Sequence, residues 1–375
     1  MGAHVRRRAR RPRSRELHGG RRRRPSGGAG PLGTGLDPYR DAARRGLRRR
    51  RRRAAHPRAG AGAVTGVLPL VAVTVPTFHR PAQLAQLLAV VVAQAASTPG
   101  IRSTIIVVDN DPAGSAAGAA HAAGALHMIE PARGLAAVRN AALDAATAAG
   151  ADALVFIDDD EIPDDGWLAA LVAPWAAGDA DAVSGEVHSV FGEGVDPWII
   201  AGGFFRRVRF AEGVSMPAAP TNNLLLDLTV IAALGLRFDE RFAATGGEDI
   251  DFTRRAVALG ARIVSAPAAR VIDPVPAERT TRAWVLRRAY RVGTTTVAGD
   301  VRLRTTPPRR ALRRGRWAVV GAARTCMGAA RCAWGRLTRD DVHDARGARL
   351  AARGFGMLAG ALGRTYREYA LRDGS

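Results

Sequence analysis

Short apolar runs rich in Val, Ile and Leu recur between residues 68 and 265, and most of them stop at a hydroxyl or a carboxylate. The runs at 68–75, 104–109, 126–129, 154–157, 182–188, 224–226 and 262–265 read as strands. Between them, residues 83–96 set Leu84, Leu87, Leu88 and Val91 on one helical face. Residues 133–143, 167–176 and 252–259 also read as helices, the last closed by Gly260. Strand and helix alternate, which predicts an α/β fold: a Rossmann-like, mostly parallel sheet with helices on both faces. Residues 190–220 lack a period. Their aromatics, Phe191, Trp198, Phe204, Phe205 and Phe210, suit either a binding loop or plain core.

The ends of the strands carry the candidate chemistry. Pro76, Thr77 and Arg80 follow the first, Asp109 closes the second, and Asp158, Asp159 and Asp160 follow the run at 153–157. In open α/β sheets ligands bind outside the carboxyl ends of the strands. Three adjacent carboxylates repel one another, and a hard divalent cation that shares a substrate's diphosphate oxygens would join them. The competing reading is an acidic turn that caps a helix at Pro163-Asp164-Asp165. A fourth acidic group, Glu248, Asp249 and Asp251, follows Gly246-Gly247 at a helix start. There the carboxylates either serve the helix dipole alone or leave one free as a general base.

Charge divides the chain into three. All 56 basic residues are Arg, which excludes lysine-dependent chemistry such as P-loop phosphate binding and Schiff bases. The net charge is +18 over residues 1–60, −7 over 61–299 and +11 over 300–375. We expect an Arg-rich disordered arm at 1–66, a catalytic domain at 67–300 and a basic helical extension at 301–375. A translation start near Val64 would remove the arm. Two cysteines, Cys326 and Cys332, without a C-x-x-C pair argue against a disulfide framework or a zinc site. No apolar run reaches eighteen residues and no leader is visible, so the expected location is the cytoplasm.

Five stretches in one order resemble glycosyltransferase family 2, inverting enzymes of GT-A fold. They are Val75-Pro-Thr-Phe-His-Arg80-Pro81, Val108-Asp109-Asn110, Arg133-Gly134 through Arg139-Asn140, Ile157-Asp158-Asp159-Asp160, and Gly247-Glu248-Asp249-Ile-Asp251. Residues 275–293, with Glu278, Trp284, Arg287, Arg288, Arg291 and Gly293, look like a subgroup near the succinoglycan-biosynthesis glycosyltransferases. The resemblance implies a metal-dependent hexosyl transfer from a nucleoside-diphosphate sugar, UDP favoured, to a saccharide or lipid-linked acceptor of a cell-surface polysaccharide. Pro76, Thr77, Arg80, Asp109, Arg133, Arg139, Asp158 and Asp159 would hold the donor, with Asp109 near the base and Asp158 by the ribose. Asp160, with Asp158, would bind Mg²⁺ or Mn²⁺, and Asp249 would be the catalytic base supported by Glu248. Where many relatives carry a His, this chain has Asp273, so Arg287, Arg288 or Arg291 would neutralise the leaving diphosphate instead.

At the C-terminus, Arg313, Arg324 and Arg331 fall on one helical face, and Val319, Ala322, Cys326 and Ala333 near the opposite one. Phe355, Leu358, Leu362, Tyr366 and Tyr369 form a second stripe. These helices either lie on an anionic membrane surface, at the inner face of the cell membrane, or pack on the catalytic domain with their arginines in solvent. Three other functions stay open. A nucleotidyltransferase would want a Gly-rich loop after the first strand, where none occurs. An inactive nucleotide-sugar-binding relative fits Asp273. A nucleic-acid binder would place its basic residues beyond the arm and among aromatics, and specific nucleic-acid binding is not expected.

Overall fold

The computed structural model describes residues 67–242, 246–302 and 306–364. The arm at 1–66 and the positions Tyr366 and Tyr369 lie outside the described residues.

Strand β1 (Leu70–Thr77) is flanked by helix α1 (Pro81–Ser97) and strand β2 (Arg102–Asp109). Helix α2 (Ala117–Ala122), strand β3 (Leu126–Ile129), helix α3 (Leu135–Ala148) and strand β4 (Ala153–Ile157) follow. β1 pairs in parallel with both β2 and β4, and β2 with β3. The chain then adds β5 (Ile162–Pro163), α4 (Trp167–Ala176), β6 (Ala182–Phe191), α5 (Pro197–Gly202), β7 (Ser215–Met216), β8 (Asn223–Asp227) and α6 (Leu228–Ala233). Helix α7 (Glu248–Leu259) and strand β9 (Ile263–Val275) complete the sheet, whose order is β3-β2-β1-β4-β8-β6-β9-β5, with β7 on β9.

Both faces of this sheet are covered, so the central strands are nearly unbroken apolar runs. Val71, Val73 and Val75 point one way and meet Leu84, Leu88, Trp167 and Leu171. Ala72, Ile106, Leu154 and Phe156 point the other way and meet Val138, Ala142 and Phe252. Strand β8 runs antiparallel between β4 and β6, with Asn223 opposite Ile157. Direction therefore reverses beside β4. The start of β8 lies next to the end of β4, which brings Asn222 to the acidic cluster.

Three elements differ from the sequence reading. The last strand continues past residue 265 to Val275, so Asp273 lies on β9, opposite Ser189 of β6. The helix expected at 252 starts at Glu248, which places Glu248, Asp249 and Asp251 in its first turn. The aperiodic stretch 190–220 contains α5, whose Trp198 and Ile199 are buried with Val285 and Ala345.

Beyond the sheet stand α8 (Arg282–Arg302), α9 (Pro307–Thr338) and α10 (Asp341–Ala361). α9 presents Gly321, Gly328 and Gly335 to α10, one every seven residues, and all three are buried. A Cβ on Gly321 would stand 2.8 Å from the Leu358 nitrogen, and one on Gly354 of α10 2.6 Å from the Thr325 nitrogen. On Gly328, Gly335 or Gly347 it would meet the backbone of Ala351, Asp344 or Cys332 still more closely. Only glycine allows two helix backbones this near. Arg313 and Arg324 turn back toward the neighbouring helices, Arg313 to Asp300 at 3.1 Å and Arg324 to the Met357 sulfur at 3.7 Å. The arginine face is thus the inward one, against the expectation of arginines in solvent.

Candidate active site

The parallel register of β1 and β2 sets Thr77 beside Asp109. The turn after β4 then folds its carboxylates over the end of β1. Thr77 Oγ1 donates to Asp159 at 2.7 Å. Arg80 Nη1 donates to Asp159 at 2.9 Å and to Asp160 Oδ2 at 2.6 Å. Burial opposes the Arg80 charge, but Asp159 and Asp160 outweigh it and hold its pKa above the ordinary value. Burial raises the Asp159 pKa, against the pull of Thr77 and Arg80. Pro76 is buried in β1 opposite Val108. The loop after Thr77 carries His79 at a φ of 54°, a left-handed conformation rare for a residue with a Cβ.

Several candidates serve the framework. Asp109 is fully buried, and its carboxylate accepts from the Asp111 nitrogen at 3.0 Å and the Ala116 nitrogen at 2.8 Å. It shapes the loop after β2 from within. Asn110 donates to the carbonyls of Glu130 and Ala132 and so fixes the turn before α3. Arg133 is exposed in that turn. Asn140 and the Phe238 backbone exchange two hydrogen bonds, at 3.0 and 2.9 Å, which tie α3 to the segment before α7.

A cavity of about 530 Å³ gathers the rest. Its lining includes the carboxylates Asp158, Glu248, Asp249 and Asp251 and the guanidinium groups of Arg139, Arg207, Arg254, Arg288, Arg291 and Arg353. Arg139 and Glu248 form an ion pair, 5% and 3% exposed. Burial lifts the Glu248 pKa, opposed by Arg139 and reinforced by Asp249. Burial likewise lifts Asp158 to about 6, against Arg139 and with help from Asp160, Asp159 and Asp249. Burial lowers Arg288 to about 10, and Arg207 and Arg291 push the same way. Its guanidinium lies over the rings of Phe205 and Trp284 and donates to the Phe204 carbonyl at 3.2 Å. The cavity thus brings carboxylates and guanidinium groups to one space. Arg287 is exposed and does not line it. Asp273 accepts from Ser189 and from Arg207, each at 3.1 Å, so it anchors one of these guanidinium groups.

Asp160 opens instead to a neighbouring cavity of about 460 Å³, with Arg80, Asp159, Glu161 and, across from them, Pro276 and Glu278. Asp158 and Asp160 therefore face different spaces. Among the described residues no group of three or more His, Cys, Asp or Glu side chains is placed to hold a metal ion. Mg²⁺-type ions need only one or two carboxylates when substrate phosphates and water complete the shell. Asp160 meets that need: Arg80 occupies one of its oxygens and the other remains.

The sequence reading missed a polar network beneath this site. Glu161, 2% exposed, accepts from Asn222 Nδ2 and from the Asp158 nitrogen. Burial, then the nearby Asp158 charge, raise its pKa well above the carboxylate range. Asn223 donates to the carbonyls of Ala269 and Glu186 and accepts from Trp167 Nε1. The available signal was Thr221-Asn222-Asn223, three polar residues leading into a buried strand.

Residues 72–227 match the model of Glycosyl transferase family 2. The chain is 32% identical over 200 residues to the succinoglycan biosynthesis protein ExoM of Rhizobium meliloti (strain 1021). That match takes in 52% of this chain and spans 64% of the relative's length. A mannosyltransferase from Pyrobaculum calidifontis, solved with GDP-Man and Mn²⁺, superposes with a TM-score of 0.50 at 20% identity, over 85% of this chain and 95% of that one. The fold is of GT-A type, with a mostly parallel sheet and added C-terminal helices.

Proposed function

We propose that this chain is an inverting family 2 glycosyltransferase that moves a hexosyl group from a nucleoside-diphosphate donor, UDP favoured, to a saccharide or lipid-linked acceptor in exopolysaccharide synthesis. The observation that carries the reading is the one cavity that gathers Asp158, Glu248 and Asp249 with Arg207, Arg288 and Arg291. The succinoglycan relative supports the polysaccharide context, and the mannosyltransferase, solved with a nucleotide sugar, supports the donor class.

In this reading Asp249 is the base. It sits in the first turn of α7, and its Oδ1 accepts from the Ile250 nitrogen at 2.7 Å. Glu248 is turned away into its pair with Arg139, and so supports the site without accepting the acceptor's proton. Arg139 acts through Glu248 and Asp158. Thr77 and Arg80 hold the loop of Asp159 and Asp160 at the donor's entry, and Asp109 orders the neighbouring loop. Arg288 and Arg291 meet the negative charge that develops on the departing diphosphate. Asp160 would hold Mg²⁺ or Mn²⁺, with substrate phosphates and water completing the shell, and the ion would supply Lewis-acid stabilisation of that same charge, while Asp158 lines the adjoining cavity. Residues 67–300 would form the catalytic unit and 301–375 the helical extension.

The test is single-turnover transfer from nucleotide sugars with matched donor-binding measurements on wild type and Asp249→Asn. Loss of a positioned base costs about 10²–10⁴-fold in rate, so transfer falls by that order while donor affinity holds. Near-normal transfer by the variant removes Asp249 as the base. No binding of any nucleotide sugar removes the reading altogether.

A further inference from the structure

Helix α9 is amphipathic in the wrong sense for a packed helix. Its half-buried side holds the glycines and Arg313, Arg324 and Arg331, and its outer side is apolar. Leu312 is 76% exposed, Val319 71%, Met327 57%, Trp334 57% and Leu337 78%. Ala322, Ala323, Cys326, Ala330 and Ala333 fill the positions between them, also exposed. No charged residue interrupts this face from Val319 to Trp334. Thirty-two residues at 1.5 Å each make a ridge of about 48 Å. Contiguous apolar surface on that scale marks an interaction site.

The charges around the stripe select its partner. α9 contains no Asp or Glu. Exposed arginines stand at its two ends: Arg309, Arg310, Arg314 and Arg316 at one, Arg336 and Arg339 at and just beyond the other. A second copy laid along the helix, in either direction, would set guanidinium against guanidinium. The +18 N-terminal segment of the same chain is repelled for the same reason. An anionic surface satisfies both features. An apolar face with a basic rim and a Trp is how a helix lies in the headgroup region of a bilayer. No helix among the described residues is long and apolar enough to cross a membrane.

We infer that the outer face of α9 docks on an anionic lipid surface, with Val319, Met327 and Trp334 entering the interface and the terminal arginines meeting lipid phosphates. This inference stands apart from the transferase reading, because none of these residues lines either cavity.

The experiment uses the full chain. Sedimentation is measured with sucrose-loaded vesicles of phosphatidylcholine alone and of phosphatidylcholine and phosphatidylglycerol in equal parts, for wild type and for Val319→Glu and Met327→Glu. Both positions face solvent, so circular dichroism of the variants should match wild type; Ala330→Glu on the same face serves as a replacement if either fails to fold. The expected result is salt-sensitive binding to the anionic vesicles that each variant weakens by about tenfold or more, the scale of one apolar side chain withdrawn from the interface. Equal binding by wild type and variants would mean that the basic N-terminal segment alone does the work, and would overturn the inference. So would equal binding to both vesicle types. A wild-type dimer in light scattering that the variants dissociate, without vesicle binding, would assign the face to a second copy and overturn it as well.

Discussion

The Arg139–Glu248 pair offers the sharpest energetic test, because its surroundings make the two partners unequal. Both are almost fully buried, and Nε of Arg139 has no hydrogen-bond partner among the described residues. Breaking a buried pair by removing one member costs about 3–5 kcal/mol, since a charge is left uncompensated. Arg139→Met leaves Glu248 buried beside Asp249 without its paired cation, so that full range is expected. Glu248→Gln leaves Arg139 with Asp158 and Asp249, both of which already act on it. Its cost should be nearer ~1–2 kcal/mol, a lost buried hydrogen bond. The double variant should fall short of the sum by about 1–3 kcal/mol, as contacting residues do. The Arg139→Met penalty should also depend on pH. Glu248 and Asp158 have folded pKa values above their unfolded ones, so each contributes stability that is complete at low pH and lost as pH rises through the folded value, about 6 for Asp158. The variant should therefore regain stability on acidification from pH 7 toward 5. Urea denaturation of the four proteins across that range measures all of this. Equal single-variant costs, with a double variant additive within about 0.5 kcal/mol, would refute the asymmetry.

Two further outcomes can be checked directly. Asp160→Ala should abolish metal-dependent binding of a nucleoside diphosphate, read by calorimetry, while the melting curve keeps its shape. Gly328→Leu should destabilise the α9–α10 hairpin by about 1–3 kcal/mol or more through overpacking, whereas Gly315→Ala, with open space around its Cβ position, should stabilise it by about 0.5–1 kcal/mol; thermal melts of the two variants should move in opposite directions.

The sheet was legible because its strands are covered on both faces and so announce themselves as unbroken Val, Ile and Leu runs. β9 was read too short because Pro267 and Pro274 and the small Ala266, Ala268 and Ala269 dilute its apolar signal. Its pairing with β6 is long-range and leaves no mark on local composition. The motif residues were found, but their partners were not: that Asp109 serves its own loop, and that Asp158 and Asp160 face different spaces, depends on side-chain direction after a turn. The Gly321, Gly328, Gly335 repeat lies in the sequence, but glycine has no side chain to mark a helical face as arginines and large apolar residues do. The inward turn of the arginine face follows from that repeat, which commits the same side of α9 to α10.

The glycine ladder has a thermal consequence. A helix pair joined backbone to backbone gains its attraction from close atomic contact and comparatively little from covering apolar side chains. Exposure of apolar surface is what gives unfolding its positive heat capacity and makes stability fade on cooling. The α9–α10 hairpin should therefore add less to that heat capacity, residue for residue, than the sheet does, and should hold its geometry in the cold better than the packed Leu and Val layers around the active site.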